Sequence, residues 1–259
     1  MKKLITRTLS GILILSAVIF FTLKGDLYLL SSIVVLSSIA SYEFHRAMKK
    51  IDLNYPLWLQ LIFGLLLNIF AYLRMYEIFL LALTLIFLIS FIIASLGFKY
   101  KLKDMMAFIF SIIYINVILS FILRFDSSIY LILVYCCAWG TDTFAYIAGA
   151  LFGKHKLIER LSPNKTIEGS IGGILGSVLM VVLVLMPSGS YNLFQWALVA
   201  ALGSIISQIG DLSASYVKRL AGIKDYGKII VGHGGILDRF DSVIFAVPVI
   251  YMFNILIGR

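Results

Sequence analysis

Asp211, Ser215 and Lys218 recur at i, i+4 and i+7 in SQIGDLSASYVKR, so on a helix they stack along one face. Asp238 and Asp241 stand three apart in ILDRFDS and share a face if the chain is helical from Leu237 onward. A further carboxylate, Asp142, lies in the largely apolar segment AWGTDTFAYIAGALFGK. Asp211 with Asp238, reinforced by Asp142 or Asp241, is the oxygen-ligand set a Mg²⁺ uses when substrate phosphates and water complete its shell. Lys218, Arg219, Lys224, Lys228 and Arg239 suit phosphate charge. His233, in GHGG, can donate to a phosphate beside a flexible backbone. Neither HExxH, a CxxC pair nor GxxxxGK[ST] occurs, which excludes the common zinc and P-loop patterns.

These groups sit in a chain built for lipid. Of the 259 residues, 61% are hydrophobic and 14% charged, and the mean hydropathy is +1.01. Apolar stretches of bilayer-spanning length fill the sequence, and they lack the alternation of β-barrel strands. The expected fold is an all-α polytopic membrane protein of about nine spans: 8–23, 27–48, 56–73, 77–98, 105–123, 129–152, 167–186, 192–217 and 240–258. The first is read as a span, not a signal peptide, because no small-residue cleavage site follows it. A carboxylate at bilayer depth costs about 2.5–3.5 kcal/mol on insertion scales, so Asp142 and Asp211 should face a polar cavity. An ion relay in a transporter, or a helix–helix hydrogen bond, would also account for them.

Charge supports the span count. With the N-terminus cytoplasmic, one side collects Lys2, Lys3 and Arg7; Arg46, Lys49 and Lys50; Lys99, Lys101 and Lys103; Lys154, Lys156, Arg160 and Lys165; and Lys218, Arg219, Lys224, Lys228 and Arg239. Lys24, Arg74, Arg124 and Arg259 fall opposite, which puts the C-terminus outside. The net charge of +9 thus follows mainly from topology, and no nucleic-acid partner is needed to explain it. The organisation expected is a polar-poor N-terminal scaffold over 1–124 and a C-terminal catalytic region over 125–259, with cytoplasmic loops 153–168 and 218–239.

In the first half the polar residues read as interfacial anchors, and Glu43 with Arg46 three residues on reads as a simple interfacial pair. Cys136 and Cys137 read as buried, inert thiols. In the loop GKHKLIERLSPNKTIEGSIGG, Ser162 or Asn164 can supply a turn or N-cap oxygen, and Thr166, Glu168 and Gly169 open the next helix. A helix N-terminus flanked by lysines is also a plausible phosphate site. Gly169, Gly172, Gly173 and Gly176 form overlapping small-xxx-small pairs for close helix packing, and Gly169 would also let a phosphate near the backbone.

Taken together, SYVKRLAGIKDYGKIIVGHGGILDRFD resembles the signature of the phosphatidate cytidylyltransferases, or CDP-diacylglycerol synthases. It carries Ser215, Lys218-Arg219, Lys224-Asp225, Gly227, His233-Gly234-Gly235, Asp238-Arg239 and Asp241. Val231 departs from it, standing where the family usually has Pro, Gly or Ser. Upstream, the segment from Asp142 through Ser162-Pro163, Lys165-Thr166 and Glu168-Gly169 is similar as well, as is GDLSAS around Asp211. The detailed likeness covers about the C-terminal half; earlier it is one of kind, with YEF near the end of the second span.

The resemblance implies the reaction of CTP with phosphatidate to give CDP-diacylglycerol and pyrophosphate, with Mg²⁺ required and a second cation compatible with a two-metal arrangement. On that reading Asp211, Asp238, Lys218, His233 and Asp241 are catalytic. Ser162, Lys165, Thr166, Arg219, Lys224, Arg239 and Asp142 bind substrate, and Asp211, Asp238 and Asp142 hold metal. The partners would be CTP, phosphatidate and membrane lipids, with a homodimer compatible, in a bacterial plasma membrane with the active site facing the cytoplasm. A CTP-dependent polyprenol or phytol kinase is the nearest alternative, distinguished by its products; a transporter is the more distant one. A CDP-alcohol phosphotransferase is disfavoured, because the chain holds no Asp-Gly dipeptide.

Overall fold

The structure is a computed structural model that describes residues 2–97, 99–189, 191–230 and 234–257. His233 and Val231, two positions of interest in the sequence, lie outside the described residues. The described chain is helical apart from one hairpin and its links: α1 (Lys2–Lys24), α2 (Asp26–Lys49), α3 (Leu57–Tyr72), α4 (Tyr76–Ser95), α5 (Leu102–Arg124), α6 (Ser128–Phe152), strands β1 (Lys156–Ile158) and β2 (Ser162–Thr166), α7 (Ile167–Leu185), α8 (Leu193–Leu220) and α9 (Leu237–Ile257). Among the described residues α2 and α4 to α9 are long and apolar enough to cross a bilayer, while α3 and the Ser10–Lys24 part of α1 are shorter apolar helices. At 1.5 Å per residue, the 16 residues of α3 reach only about 24 Å, short of a hydrocarbon core of about 30 Å. The protein is an all-α polytopic integral membrane protein.

Two compact units divide the chain, Met1–Arg124 with Leu220–Arg239, and Phe125–Arg219 with Phe240–Arg259. The segment Leu220–Arg239, most of the second expected loop, therefore belongs with the N-terminal helices.

In the first unit, α2, α3 and α5 pack through Ala40, Phe44, Leu67, Ala71, Phe108 and Ile115, all almost fully buried. This core is not polar-poor, contrary to the expectation from sequence. Asn116 Oδ1 accepts from Ser41 Oγ and from Gln60 Nε2, each at 3.4 Å, and Asn68 Nδ2 donates to Ser37 Oγ at 3.1 Å. Inside an apolar helix bundle such amides must bond to one another, because neither lipid nor water supplies a partner. Asn116 lies on a π-helical turn, Ile112–Val117, and Gly64 leaves it room: a Cβ there would come 2.3 Å from Asn116 Nδ2. Arg124 is likewise buried, with its guanidinium 4.2 Å from the Phe79 ring centroid and 4.8 Å from that of Tyr76.

In the second unit the glycine face of α7 lies on α6. A Cβ on Gly172 would sit 2.2 Å from Ala148 Cβ, one on Gly173 2.8 Å from the Thr141 carbonyl oxygen, and one on Gly176 2.0 Å from Phe144 Cγ. The same contact takes up Gly169, whose Cβ would meet the Ala145 carbonyl oxygen at 2.8 Å. The stripe is thus spent on packing within the chain and gives no argument for a dimer. A second π turn, Cys136–Gly140, precedes Asp142 on α6. The Cys137 carbonyl accepts there from Thr141 Oγ1 (2.6 Å) and from Ser207 Oγ of α8 (2.9 Å), which ties α6 to α8 one turn from the carboxylate. Both cysteines are buried and free.

The fit of α7 on α6 predicts that Gly173→Ala lowers stability by about 1–3 kcal/mol through overpacking against backbone. Thermal unfolding of the purified protein in detergent measures this, and an unchanged midpoint would refute the close approach.

Candidate active site

The second unit gathers five of the expected side chains. Strands β1 and β2 pair antiparallel, with Lys156 opposite Thr166 and Ile158 opposite Ser162. Ser162 and Asn164 are therefore strand residues, and the N-cap oxygen comes instead from Thr166, whose side chain accepts from Gly169 N at 3.1 Å. Glu168 anchors the other end of the hairpin, accepting from the backbone amides of Lys154 (3.0 Å) and His155 (3.2 Å), with its second oxygen 2.6 Å from His155 Nδ1. The hairpin fixes Lys165, which forms an ion pair with Asp211 of α8. Both side chains are about three-quarters buried.

Seven residues further along α8, Lys218 Nζ lies 3.8 Å from Asp241 Oδ2, and both are almost wholly buried. Asp241 Oδ1 accepts from the Ser242 amide at 2.8 Å, and Ser242 Oγ donates to Asp142 Oδ2 at 3.4 Å. Asp241 also lies within electrostatic range of Asp211, Lys218 and Asp142. Three carboxyl groups and two ammonium groups thus share one neighbourhood. Arg219, next to Lys218, is exposed on the last turn of α8.

Among the described residues no group of three or more His, Cys, Asp or Glu side chains is placed to hold a metal ion. The donor type is nevertheless right for Mg²⁺, a hard ion usually held by one or two carboxylates together with substrate phosphates.

In the first unit, Asp238 is a loop clamp. Its Oδ2 accepts from the amides of Tyr226 (2.8 Å) and Gly235 (2.9 Å), holding both ends of the described loop to the first turn of α9. Gly234 adopts φ +86°, a region that L side chains rarely enter. Glu43 of α2 has a role that its spacing from Arg46 does not disclose. Fully buried, it accepts from Leu237 N at 2.8 Å and Ile236 N at 3.1 Å, satisfying amide donors at the start of α9. Arg46 stands over the Tyr42 ring, 5.8 Å from its centroid. Gly227 and Gly235 admit the Glu43 carboxylate, since a Cβ on either would fall 2.0 or 2.5 Å from Oε1. Lys224 is exposed on this loop and Arg239 half-buried on α9.

A sequence model described as the cytidylyltransferase family matches residues 5–257, nearly the whole chain. The chain belongs to the cytidylyltransferase family. Relatives named phosphatidate cytidylyltransferase include one from Staphylococcus haemolyticus, 40% identical over 166 residues, covering 63% of this chain and 64% of the relative. One from Staphylococcus epidermidis is 48% identical over 122 residues, 47% of each chain. One from Staphylococcus aureus is 40% identical over 156 residues, covering 59% of this chain and 60% of the relative. The matched part thus spans less than two thirds of the length of these relatives.

Within this cytidylyltransferase chain, the residue that sequence reasoning undervalued is Glu43. Its signal was a carboxylate late in an apolar span, within the YEF that the resemblance already picked out, but an interfacial anchor looks the same. Removing its oxygens by Glu43→Ala leaves two buried amides without acceptors, at about 1–3 kcal/mol. Hydrogen exchange at Ile236 and Leu237 should then accelerate by roughly 10- to 100-fold, with α6 and α7 unaffected. Equal protection in variant and parent would show that Glu43 does not hold the loop.

Proposed function

We propose that the protein transfers the cytidylyl group of CTP to phosphatidate, giving CDP-diacylglycerol and pyrophosphate for phospholipid synthesis. The observation that carries this reading is the neighbourhood of Asp142, Lys165, Asp211, Lys218 and Asp241, a charged set that α6, α8, α9 and strand β2 bring together in an otherwise apolar unit. Family membership and the printed names of the relatives support it. Both substrates are polyanions, and one has acyl chains that stay in the bilayer, so a polar site at the end of spanning helices serves both. The charge asymmetry of the loops supports a cytoplasmic site in a bacterial plasma membrane.

In the proposed reaction a phosphatidate oxygen attacks the α-phosphorus of CTP. A new P–O bond forms, the bond to the β-phosphate bridging oxygen breaks, and pyrophosphate departs with that electron pair. The nucleophile is already ionised near neutral pH, so no strong general base is needed. Lys165 and Lys218 leave their carboxylate partners to hold phosphates in line, a positioning and electrostatic role. One or two carboxylates of the Asp142, Asp211 and Asp241 neighbourhood would hold Mg²⁺ together with substrate phosphates, and the ion would supply charge neutralisation on the nucleotide. Asp238 fixes the loop that carries Lys224, and Arg219 and Arg239 add cations for substrate.

Radiolabelled CTP incubated with phosphatidate and the purified protein in detergent should yield labelled CDP-lipid and free pyrophosphate; phospholipid with CDP as coproduct would overturn the assignment. Asp211→Asn should lower turnover by at least about 100-fold while leaving the thermal midpoint near that of the parent. Retained turnover would remove Asp211 from the machinery.

A further inference from the structure

A second concentration of charge lies within the first unit. Arg46, Ala47 and Lys50 at the end of α2, together with residues 223–228, enclose a cavity of about 330 Å³, at the lower end of the range for small-molecule sites. Four of the lining side chains are cationic, Arg46, Lys50, Lys224 and Lys228, against a single carboxylate, Asp225. Arg46 lies on the last turn of α2 and Lys50, four residues on, is its C-cap, a spacing that brings the two cations together. Lys224 and Lys228 carry the same sign along the opposing segment.

The floor of the cavity is rigid where its rim is not. Ala47, Tyr226 and Gly227 are buried, while the four cations are exposed. Tyr226 is held by its amide to Asp238 and by its ring, 6.3 Å from that of Phe44; Gly227 is held at close approach to Glu43. Long cationic side chains over a fixed, partly main-chain floor are suited to an anion with several oxygens, which guanidinium and ammonium groups bind from several sides.

We infer that this cavity is a site for a phosphate-bearing anion, with Arg46, Lys50 and Lys228 as ligands alongside Lys224. Its chemistry fits a polyphosphate, and also the phosphomonoester headgroup of a lipid. The Tyr226 amide bonds to Asp238, so the floor of the cavity is tied to the first turn of α9. The inference rests on the proposed reaction only for the identity of the anion in use.

The test is direct binding to the full-length protein in detergent micelles, in two arms: labelled inorganic pyrophosphate by equilibrium dialysis, and dihexanoyl phosphatidic acid by calorimetry. The double variant Arg46→Gln, Lys50→Gln should weaken one of the two by at least about tenfold. Loss in the first arm identifies a soluble polyphosphate, and loss in the second a lipid headgroup. The charge-preserving pair Arg46→Lys, Lys50→Arg should stay within a few-fold of the parent, which separates ligation from misfolding. Lys99→Gln with Lys103→Gln removes as much exposed charge elsewhere and should change neither arm. Unchanged binding in both arms for the cavity variant, or an equal loss in the control pair, overturns the site. Binding is read without turnover, so the two ideas fail separately. Protein that binds through these cations but makes no CDP-lipid would remove the reaction alone; active protein indifferent to them would remove the cavity alone.

Discussion

A carboxylate withdrawn from water must recover its hydration energy from a cation or from a set of N–H donors, and the described part of this chain uses both remedies. Asp211 and Asp241 take lysines, Lys165 and Lys218. Asp238 and Glu43 take main-chain amides, two each. The choice divides the groups by what they are free to do. A lysine on a flexible stem can be exchanged for a metal or a phosphate, whereas an amide in a loop can be given up only if the backbone moves. The first pair is therefore suited to chemistry and the second to architecture.

The local irregularities of the helices follow from the same need. Both π turns lie beside polar groups: Ile112–Val117 carries the buried Asn116, and Cys136–Gly140 ends just before Asp142, which is exposed. A π turn leaves carbonyl groups without their regular helical partners, and the hydroxyls of Thr141 and Ser207 meet one of these, that of Cys137.

How much of this could be read in the sequence depends on contrast. Asp142, Asp211, Asp238 and Asp241 stand out because ionisable groups are rare against so apolar a background, and the periodicity of the spans gives the helices. Pairing is another matter: Lys165 and Asp211 are distant in the chain, and nothing local distinguishes Lys165 from other basic loop residues. SPNKT suggests a turn because Ser, Pro and Asn favour turns, yet the segment is fixed as a strand by partners in Lys156–Ile158. Glu43 carries no local mark at all. Its role depends on two glycines and two amides that arrive some 193 residues later.

That separation has a consequence for how the molecule is made. During synthesis α2 enters the membrane with an acidic side chain whose amide donors do not yet exist, and it stays in that costly state until α9 emerges. A buried carboxylate of α2 is thus completed by α9. The carboxylate works as a latch left open while the intervening helices are made, and the loop it closes cannot reach its final shape until α9 is present.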